Sequence, residues 1–294
     1  MTGATIHTPR VLRSGLCITL VSLLAGPVVA AACDSEWFCV NDLKIDGNVE
    51  LHAENLSQVP LTFTLRVRTR YFEADGPKRI TQTIAPNSSK KVIVLSRDGG
   101  SRSPEYRYSY DWTIGDKDAN HDDDHIYQFP YERGTSHRVL QGYGSRFSHT
   151  GLEQYAIDFK MDEGTPVHAA RGGIVARKEE SHSIGCWEDG CGKYANYLVI
   201  LHDDDTTGEY YHLQKNGVLV EIGDRVSTGQ LVAMSGNTGH TTMPHLHFGV
   251  YRAVSRGREQ SIPVRFVSTD GIVDKPRRGG RYLAVLPQNS EKVD

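Results

Sequence analysis

The stretch HLHFGV, residues 245–250, alternates polar and apolar side chains. In a β-strand, residues two apart point to the same face. The two histidines therefore share one face of the predicted strand, whereas Leu246, Phe248 and Val250 share the other. This pattern predicts a strand with an apolar face against the core and a polar face that carries chemistry.

The segment YAIDF, residues 155–159, alternates in the same way and separates Asp158 from its aromatic and aliphatic neighbours. An acidic side chain in such a strand needs a partner. His149, in the loop before this segment, is positioned to supply one. Two histidines and one aspartate form a three-ligand set that leaves one position of a tetrahedral zinc ion open for water.

A further short segment, EYYHL at residues 209–213, predicts a strand that places Tyr210 and His212 on a common face. Tyr210 is a candidate for substrate contact, although an aromatic residue in a strand is more often part of the core. Taken singly, His149 and His212 also fit a surface or hydrogen-bonded histidine, since the chain has 13 histidines. The combination of segments is more specific than any one residue.

These segments together resemble the M23 (lysostaphin/LytM-like) zinc peptidases. The resemblance rests on SHTGLEQYAIDF (148–159), EYYHL (209–213) and SGNTGHTTMPHLHFGV (235–250), in this order and at these separations. It covers about residues 127 to 286 and extends to GTPVHAARGGIV after the aspartate and NYLVILH before EYYHL.

The resemblance implies a zinc cofactor and a role for each of five residues. His149, Asp158 and His247 become the zinc ligands, and His212 and His245 become the catalytic pair. It further implies hydrolysis of peptide cross-links in bacterial peptidoglycan. Nine positions separate His149 from Asp158, a longer gap than lysostaphin-type members have, which weakens any transfer of lysostaphin's glycine-bridge specificity.

Two other functions fit the same resemblance. Degenerate members of the family bind and activate cell-wall amidases without catalysis, and other members are secreted bacteriolytic endopeptidases. The non-catalytic members have usually lost ligands or catalytic histidines, whereas all five positions are present here. The complete set therefore favours an enzyme.

The N-terminus has the pattern of a secretory signal peptide. Arg10 and Arg13 precede an apolar stretch that ends in three alanines, at residues 30–32. The stretch is shorter than the roughly 20 residues of a membrane-spanning helix, so we expect no transmembrane segment after cleavage. Residues 1–32 are thus predicted to be removed from an exported, periplasmic or secreted protein. Lipidation at Cys33 is an alternative, although Ala30 stands where a lipobox usually has leucine.

Four cysteines remain after removal of the predicted signal peptide. They form two close pairs, Cys33 with Cys39 and Cys186 with Cys191. Local pairs in an exported chain predict disulfides. A four-thiolate zinc site is the alternative, but zinc-binding cysteines usually stand two to four residues apart, and neither pair does.

The charge of the chain argues against a nucleic-acid partner. The formal net charge is −3, and removing Arg10 and Arg13 leaves −3 − 2 = −5 for the mature protein. Binding to nucleic acid is therefore not expected. Peptidoglycan peptides are the partners that the resemblance implies.

The chain is predicted to be an all-β protein with two domains. Short strands between residues 49 and 112 predict an N-terminal β-sandwich over residues 33–114, and an acidic linker over 115–126 precedes the peptidase domain, 127–294. Within the latter, GTPVHAARGGIVA (164–176) and GDRVSTGQLVA (223–233) echo one another and predict two similar hairpins. Lipoyl and biotinyl carriers have comparable hairpins, but neither tip here has a lysine to modify.

Overall fold

The structure, a computed structural model, describes residues 29–34 and 36–286. Most of the predicted signal peptide therefore lies outside the described residues, apart from positions 29–32, which belong to the first strand. Nearly all regular structure in the described ranges is β-strand, which confirms the predicted all-β class. No helix found there is long and apolar enough to cross a membrane.

The chain divides into two compact units. The first comprises the described residues up to 113, together with residues 255–258. Its strands are β1 (Val29–Asp34), β2 (Phe38–Ile45), β3 (Asn48–Asn55), β4 (Leu61–Arg70), β5 (Phe72–Ala74), β6 (Arg79–Ile84), β7 (Ser88–Arg97) and β8 (Glu105–Ile114).

Two sheets make up this N-terminal unit. One has the strand order β1-β2-β3-β7-β5 and the other β6-β4-β8. Strand β3 alternates strictly between buried and half-buried residues, as a strand with one apolar face does. Phe38 of the first sheet lies 5.2 Å, between ring centroids, from both Phe63 and Tyr110 of the second. The aromatic side chains thus pack the two sheets face to face as a β-sandwich.

Among the described residues, the second unit comprises 114–254 and 259–286, so the acidic segment 115–126 groups with it. The predicted domain limits stay predictions. Its strands are β9 (Ile126–Gln128), β10 (Ser136–Gln141), β11 (Ile157–Phe159), β12 (Pro166–His168), β13 (Gly173–Glu179), β14 (Gly185–Cys186), β15 (Tyr197–Leu201), β16 (Thr207–Tyr211), β17 (Leu213–Val218), β18 (Arg225–Val226), β19 (Leu231–Ser235), β20 (Gly239–His240), β21 (Leu246–Val254), β22 (Arg258–Ile262), β23 (Arg265–Ser268), β24 (Gly271–Val273) and β25 (Arg281–Leu283). Two short 3₁₀ helices are η1 (Gly151–Glu153) and η2 (Cys191–Tyr194).

A large sheet organises the second unit. Its order is β18-β13-β15-β16-β21-β11-β10-β25, and β22 pairs with β21 at one side. Leu246, Phe248 and Val250 of β21 join the buried apolar cluster of this unit, as do Ile157 and Phe159 of β11. The period-two pattern is therefore confirmed for β21 and for residues 157–159, whereas Tyr155 and Ala156 precede β11. The opposite face of these central strands is left for polar residues.

The two echoing segments do not form the predicted hairpins. Strand β12 of the first segment pairs with β19 of the second, and β13 pairs with β18. Each segment turns between its two strands instead of folding them onto each other. The strands of the two segments thus pair with each other, which buries the apolar residues of both segments in one cluster.

Both predicted disulfides are present. Cys33 is joined to Cys39, and Cys186 to Cys191. The first bond links directly opposite positions of β1 and β2. The second closes the loop between β14 and η2, which carries Trp187.

Thiol titration checks this pairing. The mature, oxidised protein, denatured without reductant, is expected to show no reactive thiol among these four cysteines, because each sulfur is consumed in a disulfide. After reduction it should show four. Two or more reactive thiols before reduction would contradict the pairing.

Candidate metal centre

The centre begins with two side chains on neighbouring strands. Asp158 of β11 stands directly opposite His247 of β21 in the antiparallel register. Oδ1 of Asp158 lies 2.8 Å from Nδ1 of His247. Both residues are almost fully buried, at 3% exposure each. The apolar neighbours that point into the core thus fix both polar groups on the same face of the sheet.

His149 completes a group of three. It lies fully buried in the loop before η1, with Nε2 3.2 Å from Oδ1 of Asp158. One ligand atom from each of His149, Asp158 and His247 lies within 4.8 Å of the others. Ligands about 2.0–2.2 Å from a tetrahedral zinc ion lie about 3.3–3.6 Å apart, so two imidazoles and a carboxylate at these distances fit zinc.

Outer contacts orient this group. Nδ1 of His149 lies 3.4 Å from the carbonyl oxygen of Gly142, so that nitrogen keeps its proton and Nε2 faces Asp158. The Gln141 amide donates to Oδ2 of Asp158 and to the Ser148 hydroxyl. His149 and Asp158 are therefore each held by a further contact, as metal-binding side chains usually are.

His212 and His245 lie beside the group of three. His212 follows directly after β16, and His245 directly precedes β21. Their ring centroids are 4.5 Å apart, and Nε2 of His245 is 3.8 Å from Oδ1 of Asp158. Nδ1 of His212 donates to the Thr238 carbonyl and Nδ1 of His245 to the Met243 carbonyl, each at 2.7 Å. Both rings thus keep Nε2 for chemistry.

The expectation that Tyr210 and His212 share a face is wrong. Tyr210 is fully buried, packs against Phe248 and accepts a hydrogen bond from the Ala170 amide, so it belongs to the core. His212 has a φ of 65°, in the left-handed region. This reversal of the backbone at the strand end breaks the alternation and turns the imidazole towards His245.

Burial and hydrogen bonds both shift the pKa values of these side chains. Burial raises the Asp158 pKa, but hydrogen bonds with His149 and His247 outweigh it and hold that pKa well below its usual range. Burial lowers the His212 pKa to about 3, and His245 and His247 add to that effect. Burial also lowers the pKa of His245. His212 is therefore neutral near pH 7, with its one proton on Nδ1.

A groove of about 320 Å³ opens beside these residues. Asp158 and His245 form part of its lining. Phe147 and Trp187, which are 65% and 50% exposed, stack on each other in its wall at 5.3 Å between ring centroids. Exposed aromatic side chains of this kind beside a polar centre are typical of a substrate-binding wall.

Sequence patterns alone missed several residues at this site. Gln141 and Phe147 come from a strand end and a loop that have no motif of their own. Glu153 and Tyr251 also escaped notice, although a hydrogen bond joins them next to His247. Glu153 lies inside the nine-position gap between His149 and Asp158, and that unusual spacing was the available signal.

The arrangement of these strands and side chains agrees with a comparison to known families. The profile of peptidase family M23 matches residues 153–261, which include Asp158 and the histidines at 212, 245 and 247. Over residues 153–261 the chain is therefore similar to peptidase family M23. The resemblance read from the sequence is thereby confirmed. His149 lies just before the matched range, and the structure brings it to Asp158.

Named relatives also match part of the chain. Peptidoglycan DD-endopeptidase ShyA of Vibrio cholerae is 40% identical over 125 residues, which are 41% of this chain and 26% of ShyA. Lysostaphin of Staphylococcus simulans is 35% identical over 99 residues, which are 33% of this chain and 18% of lysostaphin. The solved catalytic domain of that lysostaphin aligns with 42% of this chain and 88% of its own length, at 29% identity and a TM-score of 0.33. The chain thus spans about a quarter of ShyA and less than a fifth of full-length lysostaphin.

Zinc is the cofactor of the M23 metallopeptidases, which agrees with the predicted cofactor and with the donor set of the group of three. The individual roles of His149, Asp158 and His247 as ligands, and of His212 and His245 as catalytic residues, stay predictions.

Metal analysis of the purified protein tests the ligand set. We expect one zinc ion per chain, because one group of three ligand-type side chains at this spacing exists among the described residues. His149→Ala and His247→Ala should each lose most of the metal, since two ligands remain. His182→Ala, a change at a half-buried histidine outside the group, serves as the matched control and should keep it. No zinc after gentle purification, or two tightly held ions, would contradict this site.

Proposed function

We propose that this chain is a zinc metallo-endopeptidase that hydrolyses peptide cross-links of bacterial peptidoglycan. The observation that carries the proposal is the completeness of the centre. Three ligand-type side chains converge, and two further histidines present Nε2 beside them. A protein that only binds a partner has no need for both sets.

The metal and the two histidines divide the chemistry between them. Zinc at this centre supplies polarisation of the scissile carbonyl and lowers the pKa of a coordinated water towards ~7. His212 and His245 cannot accept a proton at Nδ1, because each Nδ1 already donates to a backbone carbonyl. Proton transfer therefore runs through Nε2 of these rings.

The position of Nε2 suits a base that later becomes an acid. On the neutral ring, the Nε2 lone pair takes the proton of the attacking water. On the protonated ring, the Nε2 proton is available to the leaving amine or as a hydrogen bond to a developing oxyanion. Nε2 of His212 is buried and has no hydrogen-bond partner among the described residues, so it is unengaged before substrate binds.

The groove supports a peptide with negative charge as the substrate. Arg138 and Arg278 line it, both side chains are exposed, and neither forms an ion pair with any described residue. Guanidinium groups in this position suit the carboxylates of peptidoglycan stem peptides. The activity of the relative ShyA, a peptidoglycan DD-endopeptidase, favours the same class of polymer.

An exported location supports the same proposal. Two disulfides persist in oxidising compartments, and the predicted signal peptide leads there. The proposed site of action is therefore the periplasm or the exterior of the cell, where peptidoglycan lies.

Digestion of purified peptidoglycan tests the proposal directly. The full-length mature chain loaded with zinc should release fragments whose masses, measured by mass spectrometry, correspond to opened peptide cross-links. His212→Ala protein is the matched control. Unchanged cross-links, with stimulation of an added cell-wall amidase, would instead indicate a non-catalytic activator.

The two kinds of histidine are expected to fail differently. His212→Ala leaves His149, Asp158 and His247 in place, so zinc content should stay near one per chain. The rate of cross-link hydrolysis should nevertheless fall by at least ~10²-fold, the scale of losing general acid/base help or an oxyanion contact. His247→Ala should instead lose zinc. Zinc loss in His212→Ala together with an active, zinc-bound His247→Ala would reverse the assigned roles.

A further inference from the structure

A chain of hydrogen bonds lies behind His247, on the side away from Asp158. Nε2 of His247 is 3.3 Å from the Tyr251 hydroxyl oxygen. That hydroxyl donates to Oε2 of Glu153 at 2.7 Å. Oε2 of Glu153 is itself 3.7 Å from Nε2 of His247. His247 and Tyr251 are buried, at 3% and 2% exposure, so these polar groups depend on one another.

The direction of these hydrogen bonds fixes the tautomer of His247. Its Nδ1 faces Asp158, so this is the nitrogen that must carry a lone pair if His247 is a ligand. The proton then sits on Nε2 and needs an acceptor. A carboxylate only accepts, so Tyr251 donates its hydroxyl proton to Glu153 and leaves an oxygen lone pair for His247. The three groups therefore favour the Nδ1-binding form.

Gly249 leaves the space that the Tyr251 ring needs to make these hydrogen bonds. His247, Gly249 and Tyr251 share one face of β21, and the Tyr251 ring folds back over the glycine. A Cβ atom at Gly249 would lie 2.6 Å from Cε2 and 2.7 Å from the hydroxyl oxygen of Tyr251. Any larger residue would force the tyrosine away. The glycine is thus required for space.

The long gap between His149 and Asp158 supplies the carboxylate. Glu153 ends η1, the 3₁₀ turn inside this gap. The Ser261 hydroxyl donates to the Leu152 carbonyl at 2.8 Å and accepts from the Tyr155 amide at 2.9 Å. This serine holds the turn on both sides of Glu153. The inserted residues therefore form an ordered support for the carboxylate.

We propose that Glu153 and Tyr251 are positioning residues of the metal centre, which hold His247 in its Nδ1-binding tautomer and orientation. The extended His149–Asp158 segment then has a function, because it carries the outer carboxylate of the site. Such outer partners typically contribute about 10–100-fold in metal affinity. The inference rests on the proposed ligand role of His247.

Zinc affinity of the full mature chain, measured by competition with a chelator at fixed pH, tests this. Glu153→Gln and Tyr251→Phe are each expected to weaken zinc binding by about 10–100-fold. Both changes preserve shape, and Tyr251→Phe keeps the ring over Gly249. Tyr143→Phe is the matched control, because its hydroxyl donates to the Val264 carbonyl and contacts none of the three proposed ligands. Glu163→Gln controls for loss of an exposed carboxylate.

The thermal midpoint of the zinc-free variants separates positioning from simple stabilisation. Tyr251→Phe and Tyr143→Phe each lose a buried hydrogen bond, so both midpoints should fall. Of these two tyrosine variants, only Tyr251→Phe should bind zinc more weakly. If Glu153→Gln and Tyr251→Phe bind zinc within about fivefold of their controls while His247→Ala loses zinc, the positioning role is overturned and the ligand role stands. If His247→Ala also keeps zinc, the ligand assignment itself fails.

Discussion

A carboxylate buried in the middle of a sheet is the constraint on which the site depends. Asp158, in β11, lies between β21 and β10 in the large sheet and is only 3% exposed, so water solvates it little. An isolated buried charge is very unfavourable, so it requires partners at hydrogen-bond distance or a metal. His149 and His247 meet this requirement. A register shift of one residue in β11 would exchange Asp158 with Ile157 or Phe159, so the same apolar residues that build the core also secure the site.

The four histidines around Asp158 are oriented in two different ways. Three of them, at 149, 212 and 245, use Nδ1 to contact a backbone carbonyl and present Nε2. His247 is reversed, with Nδ1 towards Asp158 and Nε2 towards Tyr251. Its position in a strand that is paired on both sides explains the difference, because the backbone groups around it are engaged in sheet pairing. At His247, the Tyr251 side chain therefore takes the place of the backbone carbonyl that contacts each of the other three histidines.

Period-two alternation made the central strands predictable. The residues of HLHFGV and YAIDF that lie in β21 and β11 are sorted onto two faces, as the alternation predicts. His212 escaped the rule because one left-handed residue reverses the face, and no neighbouring glycine signals it. Glu153 and Tyr251 are 98 residues apart, so their contact exists only after folding. The hairpin prediction from the two echoing segments was wrong for a related reason. Similarity within a chain predicts similar local shape but not which strands pair.

The sheet and the loops contribute different properties to the centre. Asp158 and His247 are held by strand pairing, which leaves little freedom for movement. Trp187 instead lies in a loop closed by the Cys186–Cys191 disulfide, with its ring 4.2 Å from that of His240 in β20. Strands β14 and β20 pair in parallel and join this loop to the segment that leads into His245. A rigid floor therefore fixes the reacting groups, while a stapled loop shapes the wall that meets the substrate. Changes in that wall can alter which peptide binds without disturbing the buried carboxylate.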